Sequence, residues 1–317
     1  MSGLTRREAA RWLKARDNFL ILTHRRPDGD TVGSAAALCL GLRKLGKTAH
    51  VLRNMEITQK YSHLHEGLNQ DCPEKGDTLI SVDVAAPKLL PDAISHLARF
   101  VQLRIDHHGS DTPFAPLELV DAGAAACGEI VYDLLREMEV ALDKDIADAL
   151  YTAVSTDTGC FRYANTTAHS FLTAAACAEA GGNIHGINLS IFETNSFAKL
   201  RLQGWMTENI QFRKEGKIAV CALPREVEVR LGVTEDDMES VSGFARSIEG
   251  VRMAATLREN ADGRIKLSVR ALPGFDAAAV CAKFGGGGHK GAAGATLETT
   301  LAVAAELVAA EMEKALN

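Results

Sequence analysis

Phe19-Leu20-Ile21-Leu22-Thr23-His24-Arg25-Arg26-Pro27-Asp28-Gly29-Asp30-Thr31-Val32-Gly33-Ser34 is the stretch on which the reading of this chain turns. Its four leading apolar residues predict a strand, and the run from Thr31 to Leu38 predicts a helix, so the polar cluster falls on a strand-to-helix turn. In an open parallel sheet such turns form the binding edge. Pro27 and Gly29 shape the turn, which lets His24, Asp28 and Asp30 converge from one short loop. Two carboxylates this close repel unless a cation lies between them, although the positive end of the following helix offsets part of that repulsion. Taken alone, the segment reads equally well as an Asp-Gly turn with an N-cap aspartate.

The same design recurs downstream. Asp77-Thr78-Leu79-Ile80-Ser81-Val82-Asp83 is an apolar strand ending in a carboxylate, with a helix start expected at Pro87. Phe100 to Ile105 is a further strand, and it ends in Asp106-His107-His108-Gly109. Adjacent histidines at a strand end point to opposite sides, so one is available as a ligand while the other faces a substrate or supports the ligands from behind. A helix is then expected from Gly123 to Met138, and another from Asp145 to Ser155 that delivers Thr156-Asp157-Thr158-Gly159. An aspartate at that negative helix end is unfavourable without a cation. Asp157-Thr158-Gly159 also matches the aspartic protease triplet. Only one copy exists, its flanks read as helix, and a protease would leave Asp28, Asp30, Asp83 and the histidine pair unexplained. His63 and His65, in a polar irregular stretch, read as a solvated loop.

At 317 residues the chain has room for two cores. Hydrophobic content of 46% with 24% charged residues describes an ordinary globular protein. A net charge of -6 argues against a long polyanion groove but leaves room for a short phosphate-bearing substrate. The seven cysteines are scattered without a CxxC pair, which fits reduced thiols better than disulfides or a zinc knuckle. No apolar run approaches the length of a membrane span, and Met1 to Arg16 lacks a signal-peptide core, so the expected location is cytoplasmic.

His24, Asp28 and Asp30, then Asp83, then Asp106-His107-His108, then Asp157 resemble, in order, the four motifs of the DHH family of phosphoesterases, over residues 20 to 165. The resemblance implies two divalent ions, usually manganese, with magnesium or cobalt as substitutes. By position, His24, Asp28 and Asp83 would hold one, and Asp30, Asp83, His107 and Asp157 the other. Asp83 would bridge, His108 would face the scissile phosphate, and Asp106 would orient a histidine. Four aspartates and two imidazoles without a thiolate also suit manganese or magnesium better than structural zinc. Two such ions acidify water and stabilise both oxygens of an in-line displacement at phosphorus.

In the second half, hairpins are expected from Ile210 to Cys221 and from Val251 to Arg270, with a helix from Thr234 to Ile248 between them. Phe284-Gly285-Gly286-Gly287-Gly288-His289-Lys290-Gly291 follows. Successive glycines let backbone N–H groups approach an anion, with His289 and Lys290 beside them. Arg270 shares a strand face with Lys266 and Ser268 and could point at the same anion. This region resembles the domain that accompanies one DHH subfamily, in which the glycine loop, its histidine and the strand arginine bind the distal part of the substrate. The expected architecture is therefore an α/β chain. Residues 1–187 form a metal-binding domain with a mainly parallel, doubly wound sheet, and 188–209 form a linker with a hinge. Residues 210–317 form a smaller α/β domain with a mixed sheet.

In size and layout the chain resembles family members that release 5'-mononucleotides from very short RNA and dephosphorylate 3'-phosphoadenosine 5'-phosphate (pAp). Alternatives within the family are phosphodiesterases of cyclic or linear dinucleotides and, less well matched, inorganic pyrophosphatases. A non-catalytic RNA-binding module is the reading from another class, and the intact ligand set speaks against it. The expected partner is a short RNA or nucleotide, with no membrane and no protein partner implied; a homodimer is compatible with the sequence. Arg25-Arg26 departs from relatives, which often carry less charge there.

Overall fold

The computed structural model describes residues 3–109, 113–238 and 241–316. The chain divides into two compact units, Met1–Thr194 and Asn195–Asn317. In the first unit, α1 (Arg6–Lys14) starts at a capping box in which Thr5 and Glu8 each accept the other's backbone N–H. There follow β1 (Phe19–Leu22), α2 (Gly29–Lys44), β2 (Ala49–Leu52), α3 (Gln59–Ser62), β3 (Asn69–Gln70), β4 (Thr78–Val82), β5 (Leu103–Asp106) and β6 (Leu117–Val120). The unit ends with α4 (Cys127–Glu137), α5 (Lys144–Asp157), α6 (Ala168–Glu179) and α7 (Ile184–Asn188).

The strand order is β3-β2-β1-β4-β5-β6, and every pairing among the described residues is parallel. The order changes direction between β1 and β4, so their carboxyl ends open a crevice at the switch point. The central strands are near-continuous apolar runs because both of their faces are covered. On one face Ile21, Ile80, Val82, Leu103 and Ile105 pack with Leu38, Leu134 and Leu150 from the α2, α4 and α5 layer. Each fully buried side chain of this kind contributes about 1.5–3 kcal/mol. On the other face Leu20, Leu22 and Leu79 meet Leu90, Leu97 and Val101. That layer is thinner: where a helix was expected from Pro87, the chain forms 3-10 segments at Pro87–Leu89 and Asp92–Phe100. Pro91, between them, cannot donate to a continuing helix.

Helix α5 runs on past Ser155 to include Asp157. It packs against α2 closely enough that a Cβ on Gly29 would overlap the side chain of Thr156, which brings the two acidic ends together. His65 is not in a solvated loop: it is buried in a 3-10 turn, and its Nε2 donates to the Val32 carbonyl at 3.0 Å. All seven cysteines are free, and five are buried.

The second unit comprises α8 (Phe197–Asn209), β7 (Gln211–Arg213), β8 (Ile218–Leu223), α9 (Arg225–Leu231), α10 (Glu235–Met238), α11 (Val241–Phe244), β9 (Met253–Glu259), β10 (Ile265–Ala271), α12 (Ala277–Ala282), β11 (Gly287–His289), β12 (Ala292–Leu297) and α13 (Leu301–Ala315). Its sheet runs β11-β12-β10-β9-β8-β7 and is mixed, with β8 and β9 parallel and the other neighbours antiparallel. Along β10, Ile265, Leu267, Val269 and Ala271 point into a core closed by Val308 and Met312 of α13, while Lys266, Ser268 and Arg270 occupy the other face.

Two expectations need revision here. The stretch read as a linker, 188–209, is divided: its helical turn Leu189–Glu193 lies in the first unit, whereas α8 belongs to the second, where Leu202 and Met206 are fully buried with Cys221, Leu223 and Val227. Between β8 and β9, the single helix expected from Thr234 to Ile248 is replaced by the short α10 and α11 and a 3-10 turn at Ala245–Ser247. Glu239 and Ser240 of that expected helix lie outside the described residues.

Candidate metal centre

The carboxyl ends of β1, β4 and β5 and the last residue of α5 meet at the switch point of the first sheet. His24 follows β1, and its Nδ1 lies 2.8 Å from the Arg25 carbonyl. A carbonyl only accepts, so Nδ1 carries the proton and the lone pair of the neutral ring sits on Nε2. Nε2 is 3.6 Å from Asp28 and 3.5 Å from Asp83. His107 follows the same logic: Nδ1 donates to the Ala124 carbonyl at 3.3 Å. Its Nε2 lies 3.3 Å from Asp157, 3.5 Å from Asp83 and 3.7 Å from Asp30. Backbone carbonyls thus fix both rings in the tautomer that a cation requires.

Each aspartate is placed by local geometry. Asp28 is the N-cap of α2, and its Oδ1 accepts from the N–H groups of Asp30 (3.1 Å) and Thr31 (3.2 Å). The capping and ligand readings of the opening stretch are therefore compatible. Asp30, fully buried, accepts from Ser34 and from the first N–H groups of α4, at Cys127 (2.6 Å) and Gly128 (2.9 Å). Its charge lies at a second helix N-terminus, distant in sequence. Asp83 has a left-handed backbone (φ 57°), a strained conformation for a non-glycine residue. Its N–H donates to the Ile105 carbonyl at 2.9 Å, which holds the turn.

Asp83 lies at the middle of the cluster. One oxygen faces His24 and the other faces His107, each at 3.5 Å. Its buried Oδ1 has no hydrogen-bond partner among the described residues. A buried carboxylate oxygen left without a donor is costly unless a cation takes the donor's place. Ligand atoms of His24, Asp28 and Asp83 lie within 4.8 Å of one another, as do those of Asp30, His107 and Asp157. The donor set thus fits divalent metal: oxygens and imidazole nitrogens converge, and thiolates stay outside it.

The protonation behaviour of the protein without cations points the same way. Burial, reinforced by Asp30 and Asp28, pushes the Asp157 carboxyl up to about 9. Burial and Asp30 likewise hold Asp83 well above the usual carboxylate range. Burial raises Asp30 to about 6 against the pull of His107. Burial opposes a charged His24, yet Asp28 and Asp83 outweigh it and raise the imidazole to about 11. The cluster holds protons where divalent cations would otherwise balance its charge.

His108 lies beside this cluster, with its Nδ1 3.5 Å from Asp83 Oδ1, and ligand atoms of Asp83, His107 and His108 also lie within 4.8 Å of one another. His108 Nδ1 donates to Asp106 Oδ1 at 2.8 Å, and its backbone N–H donates to the same oxygen at 3.2 Å. The Asp106 hydrogen bond raises the pKa of His108 despite burial. The other Asp106 oxygen accepts from Arg104 Nε (3.1 Å) and Nη2, and both side chains are fully buried. Arg104 is the functional neighbour that the sequence reading missed. Its signal was a charged residue two positions before Asp106 on an otherwise apolar strand, which puts both on one face.

In the second unit the glycine run is not a free loop. The N–H groups of Gly285 and Gly286 donate to the carbonyls of Ala282 and Cys281 and close the end of α12. Gly287–His289 then forms the edge strand β11, paired with β12. At Gly288 (φ 146°) a Cβ would lie 2.6 Å from the Ala292 carbonyl oxygen, so the hairpin closes only on glycine. Arg270 is in register with Ala292, and Ala292 with His289, so arginine and histidine share one sheet face two strands apart. Arg270 donates to Ser242 Oγ at 2.9 Å.

Among the described residues no helix is long and apolar enough to cross a membrane. The model of the DHH family N-terminal domain matches residues 18–154, and that of the DHHA1 domain matches 215–317. The bifunctional oligoribonuclease and PAP phosphatase NrnA of Thermus thermophilus is 33% identical over 286 residues, spanning 88% of this chain and 83% of that protein. The protein of the same name in Bacillus subtilis is 24% identical and spans 92% of each chain. An exopolyphosphatase-related protein from Bacteroides fragilis has the same fold, with a TM-score of 0.85 at 24% identity over 98% of this chain and 96% of that one. Manganese-bound exonuclease RecJ aligns with a TM-score of 0.53 at 15% identity, over 98% and 95% of the two chains. Together with the histidine–aspartate cluster, these matches establish that the chain belongs to the DHH family of metal-dependent phosphoesterases and carries a DHHA1 domain.

Proposed function

We propose that the chain hydrolyses short oligoribonucleotides to 5'-mononucleotides and pAp to AMP, with two manganese ions held by His24, Asp28, Asp30, Asp83, His107 and Asp157. The observation that carries the two-ion reading is Asp83, whose two oxygens face two different histidines while one of them is buried without a donor. The substrate reading is supported by the relatives named for both activities, which align with this chain over most of its length.

When bound, such a pair of cations supplies Lewis acidity at the phosphoryl oxygens and acidifies water near neutral pH. The protein's own residues do the rest. Asp106 occupies Nδ1 of His108, so Nε2 is the ring atom left for a substrate oxygen. In this reading the raised pKa of His108 keeps Nε2 protonated, able to donate to a phosphate oxygen as negative charge builds there. Against its burial, the hydrogen bonds from His108 and Arg104 hold Asp106 below the usual carboxylate range, and Arg104 fixes it in place and through it the imidazole. Arg270, His289 and the edge strand with Gly287 and Gly288, capped behind by Gly285 and Gly286, are assigned to the substrate's second anionic group.

The test is a manganese-supplemented panel of diadenylate, longer RNA, pAp, linear diguanylate and pyrophosphate, with release of mononucleotide or phosphate measured for each. Faster turnover of diadenylate and pAp than of the other members supports the proposal. Selective turnover of diguanylate or pyrophosphate overturns it in favour of another family activity.

A further inference from the structure

One residue beyond Asp157, after Thr158, the backbone enters the left-handed region at three successive residues: Gly159 (φ 56°), Cys160 (58°) and Phe161 (61°). Glycine adopts this conformation freely, whereas cysteine and phenylalanine do so under strain. A dense set of bonds holds the turn. The N–H groups of Arg162 and Tyr163 both donate to the Thr158 carbonyl at 3.0 Å, and Phe161 N–H donates to Thr158 Oγ1 at 3.1 Å. Arg162 Nε donates to the Gly159 carbonyl at 2.6 Å, and Asn165 Nδ2 ties the carbonyls of Asp157 (3.1 Å) and Ala125 (3.0 Å).

The turn sorts two aromatic rings. Phe161 packs against Phe171 at 5.3 Å and Tyr151 at 5.9 Å. Tyr163 goes the other way and lies over Gly159, where any Cβ would overlap its ring carbons. Its ring nevertheless remains on the surface, with the residue 52% exposed. Ending α5 required only one left-handed glycine. Of the two strained residues beyond it, Phe161 packs against the core of the first unit, and the turn they complete leaves the Tyr163 ring over Gly159, two positions from Asp157. An exposed flat ring packed on the glycine two positions after a candidate metal ligand has the form of the platforms on which single-stranded bases stack, a contact every nucleobase can make.

We infer that Tyr163 is a specificity-determining residue that stacks on the nucleobase attached to the phosphate being hydrolysed. The inference rests on the proposed nucleotide substrates. It accounts for the absence of a side chain at position 159 and for the exposure of the ring.

The experiment uses the full-length, manganese-loaded protein and 5'-phosphorylated diadenylate, with two counterparts in which one or the other nucleoside is an abasic ribose. Tyr163→Ala is expected to raise KM for diadenylate roughly tenfold with little change in kcat, and to have no effect on the counterpart lacking the stacked base. Tyr163→Leu, which keeps bulk without a π-face, should match alanine, and Tyr163→Phe should recover the KM that alanine loses. Circular dichroism checks the fold of each variant; if alanine unfolds, the leucine and phenylalanine pair carries the comparison. Equal losses on all three substrates, or an unchanged KM for diadenylate, overturn the inference while leaving the substrate proposal intact. A wild-type protein that cleaves none of the dinucleotides overturns both.

Discussion

At the carboxyl ends of β1, β4 and β5 the first unit gathers Asp28, Asp30, Asp83 and Asp157 around two histidines. On β10 and β11 the second unit instead aligns Arg270 and His289 on one face of its sheet. One region concentrates negative charge in a largely buried crevice, where it needs cations to ionise; the other presents cationic and hydrogen-bonding groups nearer the surface. The difference teaches how a net-acidic chain can recognise phosphate. Under the proposed function, anion recognition would depend on a few placed donors and on metal ions, not on a basic surface. Removing a group from the first region should remove chemistry, and removing one from the second should weaken binding.

The largest expected effect is at Asp83. Asp83→Ala should lower manganese-dependent kcat by at least about a thousandfold, because both histidine–aspartate groups share that carboxylate. Single-turnover assays at saturating manganese measure it, and near-normal turnover would show that the two groups do not depend on a shared ligand. Next, Arg104→Met should destabilise the protein by about 3 kcal/mol, since Asp106 would keep a fully buried charge without its main partner. Urea unfolding measures this, and a loss below about 1 kcal/mol would put the pair among weakly coupled surface ion pairs.

A smaller effect is expected at His289. His289→Ala should raise KM about tenfold, leave kcat within about twofold and leave manganese binding unchanged. A fall in kcat at constant KM would erase the proposed division between the two regions.

The gentlest change is a pH slope in the metal-free protein. Asp157 (about 9) and Asp83 titrate above the ordinary carboxylate range when folded, as His24 (about 11) does above that of a free imidazole. The folded state therefore binds more protons than the unfolded state, and stability falls as pH rises from about 4 toward 9. Manganese substitutes for those protons, so the stabilisation it confers should grow with pH. Melting curves with chelator and with manganese, from about pH 5 to pH 9, check the sign.

Much of the first region was legible because its signals are local. Apolar tetrads announced the strands, and each strand end carried its polar residues within a few positions, so His24, Asp83, Asp106 and His107 could be assigned to one sheet edge before any coordinates. Asp28 of the opening turn was legible as a cap for the same reason. The second region was read less well. A glycine run looks alike as a cradle, a linker or a hairpin, and only cross-strand pairing made Gly287–His289 an edge strand. The α8 segment resembled a connector because its apolar residues are spread around the helix instead of forming one stripe; Leu202 and Met206 nevertheless fill the second core.

By itself, then, the sequence determined the kinds of ligand, their order and the strand ends that carry them, since these depend on side-chain chemistry and short-range periodicity. The tertiary structure decided what depends on residues far apart in the chain. Asp30 lies at the N-terminus of α4, whose first residues follow it by nearly a hundred positions. His65 is buried beneath α2, and the left-handed turn after Asp157 leaves Tyr163 exposed. Long-range hydrogen bonds and packing select these arrangements only after the chain has folded back on itself, and no short window of sequence encodes them.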